Sequence, residues 1–171
     1  MSHRTVTALS AAAALAALAL VVDGVPGASA TLTLSGPAAD TSADFNNNGI
    51  QATADGSVLV VAHSGQGALN LVDPRTGAST TVSGVSLPNI DGFLLEGRTV
   101  YAVQNFLEQI TVVRLSGDLS SGSVTKVITS GSFGVPATVA RFGDRLAAVN
   151  AHFDTGIPPS SPTYEVVLVD R

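Results

Sequence analysis

Five polar residues stand at comparable places in a repeated sequence pattern and are candidate metal ligands. Asn48 and Asp91 each precede a glycine near the start of a predicted strand, whereas His63, Asn105 and Asn150 end the strands that follow. Asparagine and aspartate oxygens suit Ca²⁺, Mg²⁺ or Mn²⁺, and a histidine nitrogen is a ligand that Zn²⁺ accepts. The sequence contains no cysteine, which excludes thiolate metal sites and disulfide bonds.

These residues share one end of the fold if each repeat is an up-and-down antiparallel sheet. In such a sheet the start of the first strand lies beside the end of the second. We therefore expect Asn48, Asp91 and residues 136–138 on one rim, together with the ends of the second strands. The alternative is structural: asparagine or aspartate before glycine is common in turns, and Asn105 and Asn150 would suit backbone hydrogen bonds between repeats.

The elements that must position these side chains are short strands repeated with a long period. Aligning Gly49 with Gly92, and residues 60–63 with 102–105, superposes two apolar runs that lie about 42 residues apart. Such a period, built from short strands, is typical of β-propeller blades. We predict strands near 50–53, 58–63, 68–73 and 79–82, then 93–95, 99–104, 109–115 and 124–129, and finally 137–141, 145–150 and 164–170.

The predicted fold class is all-β. We expect a partial β-propeller of about three four-stranded antiparallel blades, the third incomplete, at residues 48–84, 91–130 and 136–171. Residues 31–34 alternate Thr and Leu and are predicted to form an isolated strand. A β-sandwich is the alternative because the same strand lengths permit it, but a sandwich has no reason to repeat a whole four-strand unit.

The first thirty residues are predicted to be a helical secretory signal peptide, separate from the domain at 31–171. A basic start is followed by the apolar run 8–22 and by Ala28-Ser29-Ala30, the order expected before a cleavage site. A membrane anchor is the alternative, although the apolar run is shorter than the ~20 residues that a spanning helix needs. We expect cleavage after Ala30 and a secreted, extracellular protein.

The charge of the chain argues against two classes of partner. The formal net charge is −5, and the eight Lys and Arg residues form no cluster. Nucleic acids and anionic membranes attract proteins through clustered positive charge. We therefore expect no nucleic-acid partner, and no membrane partner once the signal peptide is removed.

Several of the motifs resemble the gluconolactonase, senescence-marker-protein and LRE-like family of six-bladed β-propellers. The resemblance rests on Asn48-Gly49, the Ala-Asp-Gly turn at 54–56 and Asp91-Gly92, and on the phrases GRTVYAVQN, FGDRLAAVN and YEVVLVDR, which resemble the last blades of secreted actinobacterial relatives. It covers about residues 34–171, the C-terminal half of such a propeller. The resemblance implies a divalent metal at the mouth of the central channel. Asn48 and Asp91 would be ligands, with Asp91 also contacting the catalytic water, whereas a glutamate and a further asparagine ligand would come from earlier blades.

Two functions follow from this reasoning. The first is metal-dependent hydrolysis of a small lactone or ester, in which the cation polarises the carbonyl and Asp91 accepts a proton. The second is a non-catalytic secreted propeller that binds a ligand or protein partner on its rim. No phosphate-binding loop or nucleophile motif is present, and we expect no organic cofactor. Because three blades cannot close a ring, we also expect a homodimer that completes six blades.

Overall fold

Three antiparallel β-sheets follow one another along the chain, and within each sheet the strands lie in chain order. The first sheet contains β1 (Asn47–Ala52), β2 (Leu59–His63), β3 (Ala68–Val72) and β4 (Ser79–Thr81). The second contains β5 (Ile90–Glu96), β6 (Thr99–Gln104), β7 (Gln109–Leu115) and β8 (Gly122–Thr129). The third contains β9 (Pro136–Phe142), β10 (Arg145–Asn150) and β11 (Val166–Asp170). The prediction of an all-β chain is confirmed.

The computed structural model describes residues 30–171. The predicted signal peptide and the alternative of a membrane anchor concern residues 1–30, of which 1–29 lie outside the described part. The described helical segments are short 3₁₀ turns at Gly36–Ala39, Asn105–Leu107 and Phe153–Thr155. Within residues 30–171, no helix has both the length and the apolar character needed to cross a membrane.

Two apolar cores lie on the two faces of the second sheet. Strand β6 shows the arrangement most directly, because Val100 and Ala102 belong to the first core and Tyr101 and Val103 to the second. The first core also contains residues of β2 and β3, and the second contains residues of β9, β10 and β11. Alternate residues of a strand face opposite sides of a sheet. The second sheet is therefore packed between the first and the third.

The strand predicted at residues 31–34 does not form. Within the described residues that precede β1, Ser35 makes a single parallel bridge with Ala78, and the chain then enters the 3₁₀ turn Gly36–Ala39. The Ser79 hydroxyl accepts a hydrogen bond from the Ala38 amide at 2.9 Å and holds this turn against the first sheet. A strand needs a hydrogen-bonded partner along its length. Only Ser35 has one here, so the strand prediction for 31–34 is wrong in this structure.

The first strand of each sheet is irregular in register near its start. Asn47 pairs with His63 and Ile50 with Val61, so that two residues of β1 oppose one residue of β2. The same bulge recurs in β5, where Ile90 pairs with Gln104 and Phe93 with Ala102, and a register shift also occurs between Val149 and Asn150 at the start of the third sheet. In each bulge the two residues that oppose a single residue are an Asx-Gly pair, Asn48-Gly49 in β1 and Asp91-Gly92 in β5. The two pairs are therefore equivalent, as the sequence alignment predicted.

The register changes one part of that alignment. His63, Gln104 and Asn150 pair with the first residues of β1, β5 and β9 respectively, and are therefore equivalent to one another. Asn105 lies one residue beyond Gln104 and begins a 3₁₀ turn. The predicted equivalence of His63, Asn105 and Asn150 is therefore wrong by one residue at Asn105. The bulge is the same in both sheets, so the slip arises in the turn that follows it. Six residues separate the paired Ala52 and Leu59, whereas four separate the equivalent pair Leu95 and Val100.

Candidate functional site

The β-bulges bring Asn48 and Asp91 together because the first strands approach each other closely there. A β-carbon added to Gly49 would lie 3.0 Å from the backbone oxygen of Asp91, and one added to Gly92 would lie 2.9 Å from that of Ala137. Glycine is therefore needed at both positions to let β1, β5 and β9 pack side by side. Both Asx-Gly pairs lie within strands, so the alternative that they are ordinary turns is wrong.

Asp91 is the buried carboxylate of the site, with 8% of its surface exposed. The Asn105 side-chain amide donates a hydrogen bond to Asp91 Oδ2 at 3.2 Å. Burial raises the pKa of the Asp91 carboxyl, and hydrogen bonds from Asn105 and Asn48 oppose that rise. The two asparagines that flank Asp91 thus stabilise its ionised form in a position where desolvation disfavours it.

Ser64 connects the two bulges and was missed by sequence reasoning. Its hydroxyl donates a hydrogen bond to the backbone oxygen of Ile90 at 2.6 Å and accepts one from Asn48 Nδ2 at 3.4 Å. Ser64 follows the last residue of β2, so it stands at the rim just as Asn105 does after β6. A polar residue directly after the second strand was the available sequence signal, but correct register was needed to recognise it.

Asp91, Asn48, Asn105 and Ser64 lie at a cavity of about 720 Å³. Its other walls include large apolar side chains, namely Phe45, Phe106, Phe153 and Ile157. The charged residues among those that line it are Asp44 and Asp91, and the described lining contains no lysine or arginine. The cavity therefore combines a buried carboxylate, amide and hydroxyl groups and aromatic surface, a combination typical of small-molecule sites.

The structure places His63 outside this site. The imidazole is fully buried: Nε2 lies 2.9 Å from the backbone oxygen of Asp40, and Nδ1 accepts a hydrogen bond from the Gln66 amide at 3.2 Å. Since Nδ1 is an acceptor, Nε2 must carry the proton and donate to Asp40, which defines the neutral tautomer. Both ring nitrogens are thus engaged, and neither is available as a metal ligand in this arrangement.

Asn150 is also committed to structural hydrogen bonds. Its Oδ1 accepts a hydrogen bond from the Gly134 amide at 2.9 Å, and its Nδ2 donates to the Ser132 backbone oxygen at 2.9 Å. Gln104 plays the same part in the second sheet, where its Nε2 donates to the Pro88 oxygen at 2.8 Å. The candidate site therefore contains Asn48, Asp91 and Asn105, and it excludes His63 and Asn150.

Each sheet contains a clamp, by which we mean a buried side chain at the end of the second strand that donates a hydrogen bond to the loop entering that sheet. The clamp residues are His63, Gln104 and Asn150. The acceptors are the backbone oxygens of Asp40, Pro88 and Ser132, respectively. All three side chains are at most 2% exposed. A buried polar side chain needs a hydrogen-bond partner, and in each sheet a loop backbone oxygen provides it. Some of the recurring polar residues that suggested a metal site therefore hold the loops that enter the sheets.

Comparisons with known protein families and with curated proteins found no match to this chain. The resemblance to the gluconolactonase-like propellers therefore stays a prediction. Within residues 30–171, no group of three or more His, Cys, Asp or Glu side chains is placed to hold a metal ion. The cavity and the residues that line it are therefore the candidate functional site.

Proposed function

We propose that residues 31–171 form part of a β-propeller, in which each sheet is one blade. Three antiparallel sheets in chain order, the same bulge in β1 and β5 and the same clamp in all three sheets support this proposal. The close approach of β1 to β5 and of β5 to β9 at Gly49 and Gly92 further supports it, because first strands are innermost in a propeller.

We propose that the cavity at the start of these inner strands binds a small organic cation with an apolar body. The observation that carries the proposal is the buried Asp91 carboxylate in a cavity whose described lining has aromatic side chains and no basic residue. A carboxylate forms a strong charge-assisted hydrogen bond with an ammonium group. Phe45, Phe106 and Phe153 could contact the apolar body or the cation. If the predicted signal peptide directs export, that ligand is extracellular.

The acidic lining also determines which ligands should be disfavoured. Asp44 and Asp91 give the cavity a negative potential, and the protein as a whole has a formal net charge of −5. A carboxylate or phosphate ligand would meet like charge and would find no lysine or arginine among the described lining residues. The cavity therefore favours amines over neutral molecules, and neutral molecules over anions.

Three probes of nearly equal shape test this order. At pH 7 we expect benzylamine to bind more tightly than benzyl alcohol, and benzoate to bind at least about tenfold more weakly than benzylamine, a difference of about 1.4 kcal/mol. Titration calorimetry, supported by NMR shifts of residues at the cavity, measures the three affinities. Asp91→Asn should remove the preference for the amine, since it removes the charge with little change of shape.

The control for that experiment is Asp144→Asn, which makes the same change of net charge at an exposed residue between β9 and β10. This variant should retain the preference for benzylamine. The amine must also bind more weakly as the pH falls through the raised pKa of Asp91, because protonation removes its partner. Equal affinity for benzoate, or an amine affinity insensitive to Asp91→Asn, would refute the proposal.

Metal-dependent hydrolysis of a lactone or ester is the second candidate function. The observation that favours it is the convergence of Asn48 and Asn105 on the Asp91 carboxylate. Oxygen atoms of these three side chains would hold a Ca²⁺, Mg²⁺ or Mn²⁺ ion, which when bound would polarise a carbonyl. The fit is limited, because the Asn105 amide nitrogen faces Asp91. That amide would have to turn over to present its oxygen to a cation.

We expect divalent cations to bind weakly. One carboxylate and two amide oxygens leave about half of the coordination shell to water, so calorimetric titration with Ca²⁺, Mn²⁺ and Zn²⁺ should give dissociation constants weaker than about 1 mM. Asp91→Ala should abolish what binding exists, and Asp144→Ala should not change it. Micromolar binding that depends on Asp91, without binding of benzylamine, would favour the hydrolase over the organic-cation site.

A further inference from the structure

The segment that enters the first sheet repeats the segment that enters the second. Ser35-Gly36 and Ser83-Gly84 have the same two residues in the same order. The Ser35 amide donates to the Gly77 oxygen at 2.9 Å, and the Ser83 amide donates to the Ser120 oxygen at 2.9 Å. Each serine also makes a parallel bridge with the residue just before a fourth strand. Both segments are therefore attached to the following sheet in the same way.

The two glycines of these segments are equivalent in detail. Gly36 has φ +72° and Gly84 has φ +78°, a conformation that favours glycine. A β-carbon on Gly36 would lie 2.6 Å from the oxygen of Ser79, the first residue of β4, and one on Gly84 would lie 2.7 Å from the oxygen of Gly122, the first residue of β8. At Ser83-Gly84 the chain has completed the fourth strand of the first sheet and passes to the second sheet. Ser35-Gly36 lies at the equivalent point before the first sheet.

This equivalence assigns a role to residues 31–34. The residues just before Ser83 are β4 (Ser79–Thr81) and Val82, so the corresponding residues before Ser35 are Thr31, Leu32, Thr33 and Leu34. They occupy the sequence position of the fourth strand of a preceding sheet. No sheet precedes them among the described residues, which explains why they form no strand there despite their alternating pattern.

The third sheet presents the complementary edge. Strands β3 and β7 each pair with a second strand on one side and with a fourth strand on the other. Their equivalent β11 pairs with β10, and within the described residues no strand pairs with its outer side. An unpaired edge of this kind is a template for strand addition.

The face of the third sheet beside this edge is apolar and uncovered. By register, Ala147 and Val149 correspond to Tyr101 and Val103, and Val166 and Leu168 correspond to Ile110 and Val112. In the second sheet all four residues are buried in the second core. In the third sheet Val166 is 64% exposed and Leu168 is 38% exposed. The surface that would pack on a following sheet is therefore present, and among residues 30–171 no sheet packs on it.

The first sheet has the matching open surface on its opposite face. Ile50 corresponds by register to Phe93, which is 3% exposed in the core between the first and second sheets. Ile50 is 58% exposed. The first sheet thus carries an apolar side chain at the position that normally contacts a preceding sheet.

We propose that these surfaces join in a twofold dimer of this chain. Residues 31–34 of one copy add to the outer edge of β11 of the other as its fourth strand, and the open face of the third sheet packs on the open face of the partner's first sheet. Each copy supplies both halves of the contact, so two copies close with six sheets and leave neither surface exposed. Residues 31–34 carry no charge, and β11 carries one, at its terminal Asp170, so no like-charge pair opposes the pairing.

Light scattering of the purified chain tests the dimer. We expect a mass twice that of one chain. Val166→Lys should give a monomer that still melts cooperatively, because Val166 is exposed in a single copy and its replacement needs no repacking. Val127→Lys is the matched control, since Val127 is 49% exposed on the outer strand of the second sheet, away from the proposed contact, and should remain dimeric. A wild-type monomer that melts cooperatively would overturn the proposal.

A disulfide trap tests the strand exchange itself, because the chain has no native cysteine. The register of β3 with β4, transferred to β11, places Leu32 opposite Leu168 of the other copy. Leu32→Cys combined with Leu168→Cys should therefore form a covalent dimer on oxidation. Leu32→Cys combined with Phe142→Cys should form at most a trace, although Phe142, on the inner strand of that sheet, is 62% exposed against 38% for Leu168. Cross-linking of the first pair only within single chains would refute the exchange.

Discussion

Replacing Gly92 with alanine is expected to destabilise the protein by about 3 kcal/mol, the upper part of the range for overpacked sites. The new β-carbon would lie 2.6 Å from Thr138 Cβ and 2.9 Å from the Ala137 backbone oxygen, closer than packed atoms approach. Rotation of the Thr138 side chain would move its hydroxyl but not its Cβ, and neither that atom nor the Ala137 oxygen can move without separating two inner strands. Thermal and urea unfolding should show the loss, with each kcal/mol lowering the melting temperature by about 2–4 °C.

Two other glycines provide the comparison. Gly49→Ala should cost less than Gly92→Ala, because the nearest atoms to its β-carbon lie at 3.0 Å and include the movable Phe93 ring. Gly131→Ala is the control: nothing lies within 4 Å of its β-carbon, and the change should be neutral or slightly stabilising. If Gly92→Ala and Gly131→Ala were equally stable, the close packing of β5 on β9 would be wrong.

Replacing Asn150 with alanine is expected to destabilise the protein by about 1–3 kcal/mol. The change leaves the Gly134 amide and the Ser132 backbone oxygen without the partner that each now has at 2.9 Å. Gly134 is partly buried, and a polar group left there without a partner costs about 1–3 kcal/mol, whereas Ser132 is exposed and water can replace the lost partner. Chemical denaturation measures the loss, and hydrogen exchange should show it first at the Gly134 amide.

Asn105→Ala is the matched control, because it removes the same side chain one position past the end of the equivalent strand. Its amide donates to Asp91 at the cavity, and its Oδ1 accepts from the neighbouring Phe106 amide at 2.7 Å. We expect little loss of stability and, instead, weaker binding of benzylamine. If the two variants lost equal stability, the register that separates the clamp from the candidate site would be wrong.

The sequence by itself determined the local structure of this chain. Strand alternation, short apolar runs and glycine-containing turns predicted the strands of all three sheets, and the repeat predicted that Gly49 and Gly92 are equivalent. These features depend on residues that are close in the chain, so the periodicity of the side chains is sufficient to reveal them. The equivalence of Asn48 and Asp91 followed from the same alignment.

The tertiary structure decided which polar residues meet. The turn between the first two strands is two residues longer in the first sheet than in the second, so the sequence alignment matched His63 with Asn105 and only the hydrogen-bond register matched it with Gln104. Burial and hydrogen bonds then separated the clamp residues His63 and Asn150 from Asp91 and Asn105 at the cavity. Residues 31–34 have the pattern of a strand, but within the described part of the chain they pair with no strand edge. Contacts between distant segments set each of these outcomes, and no local pattern encodes which segments become neighbours.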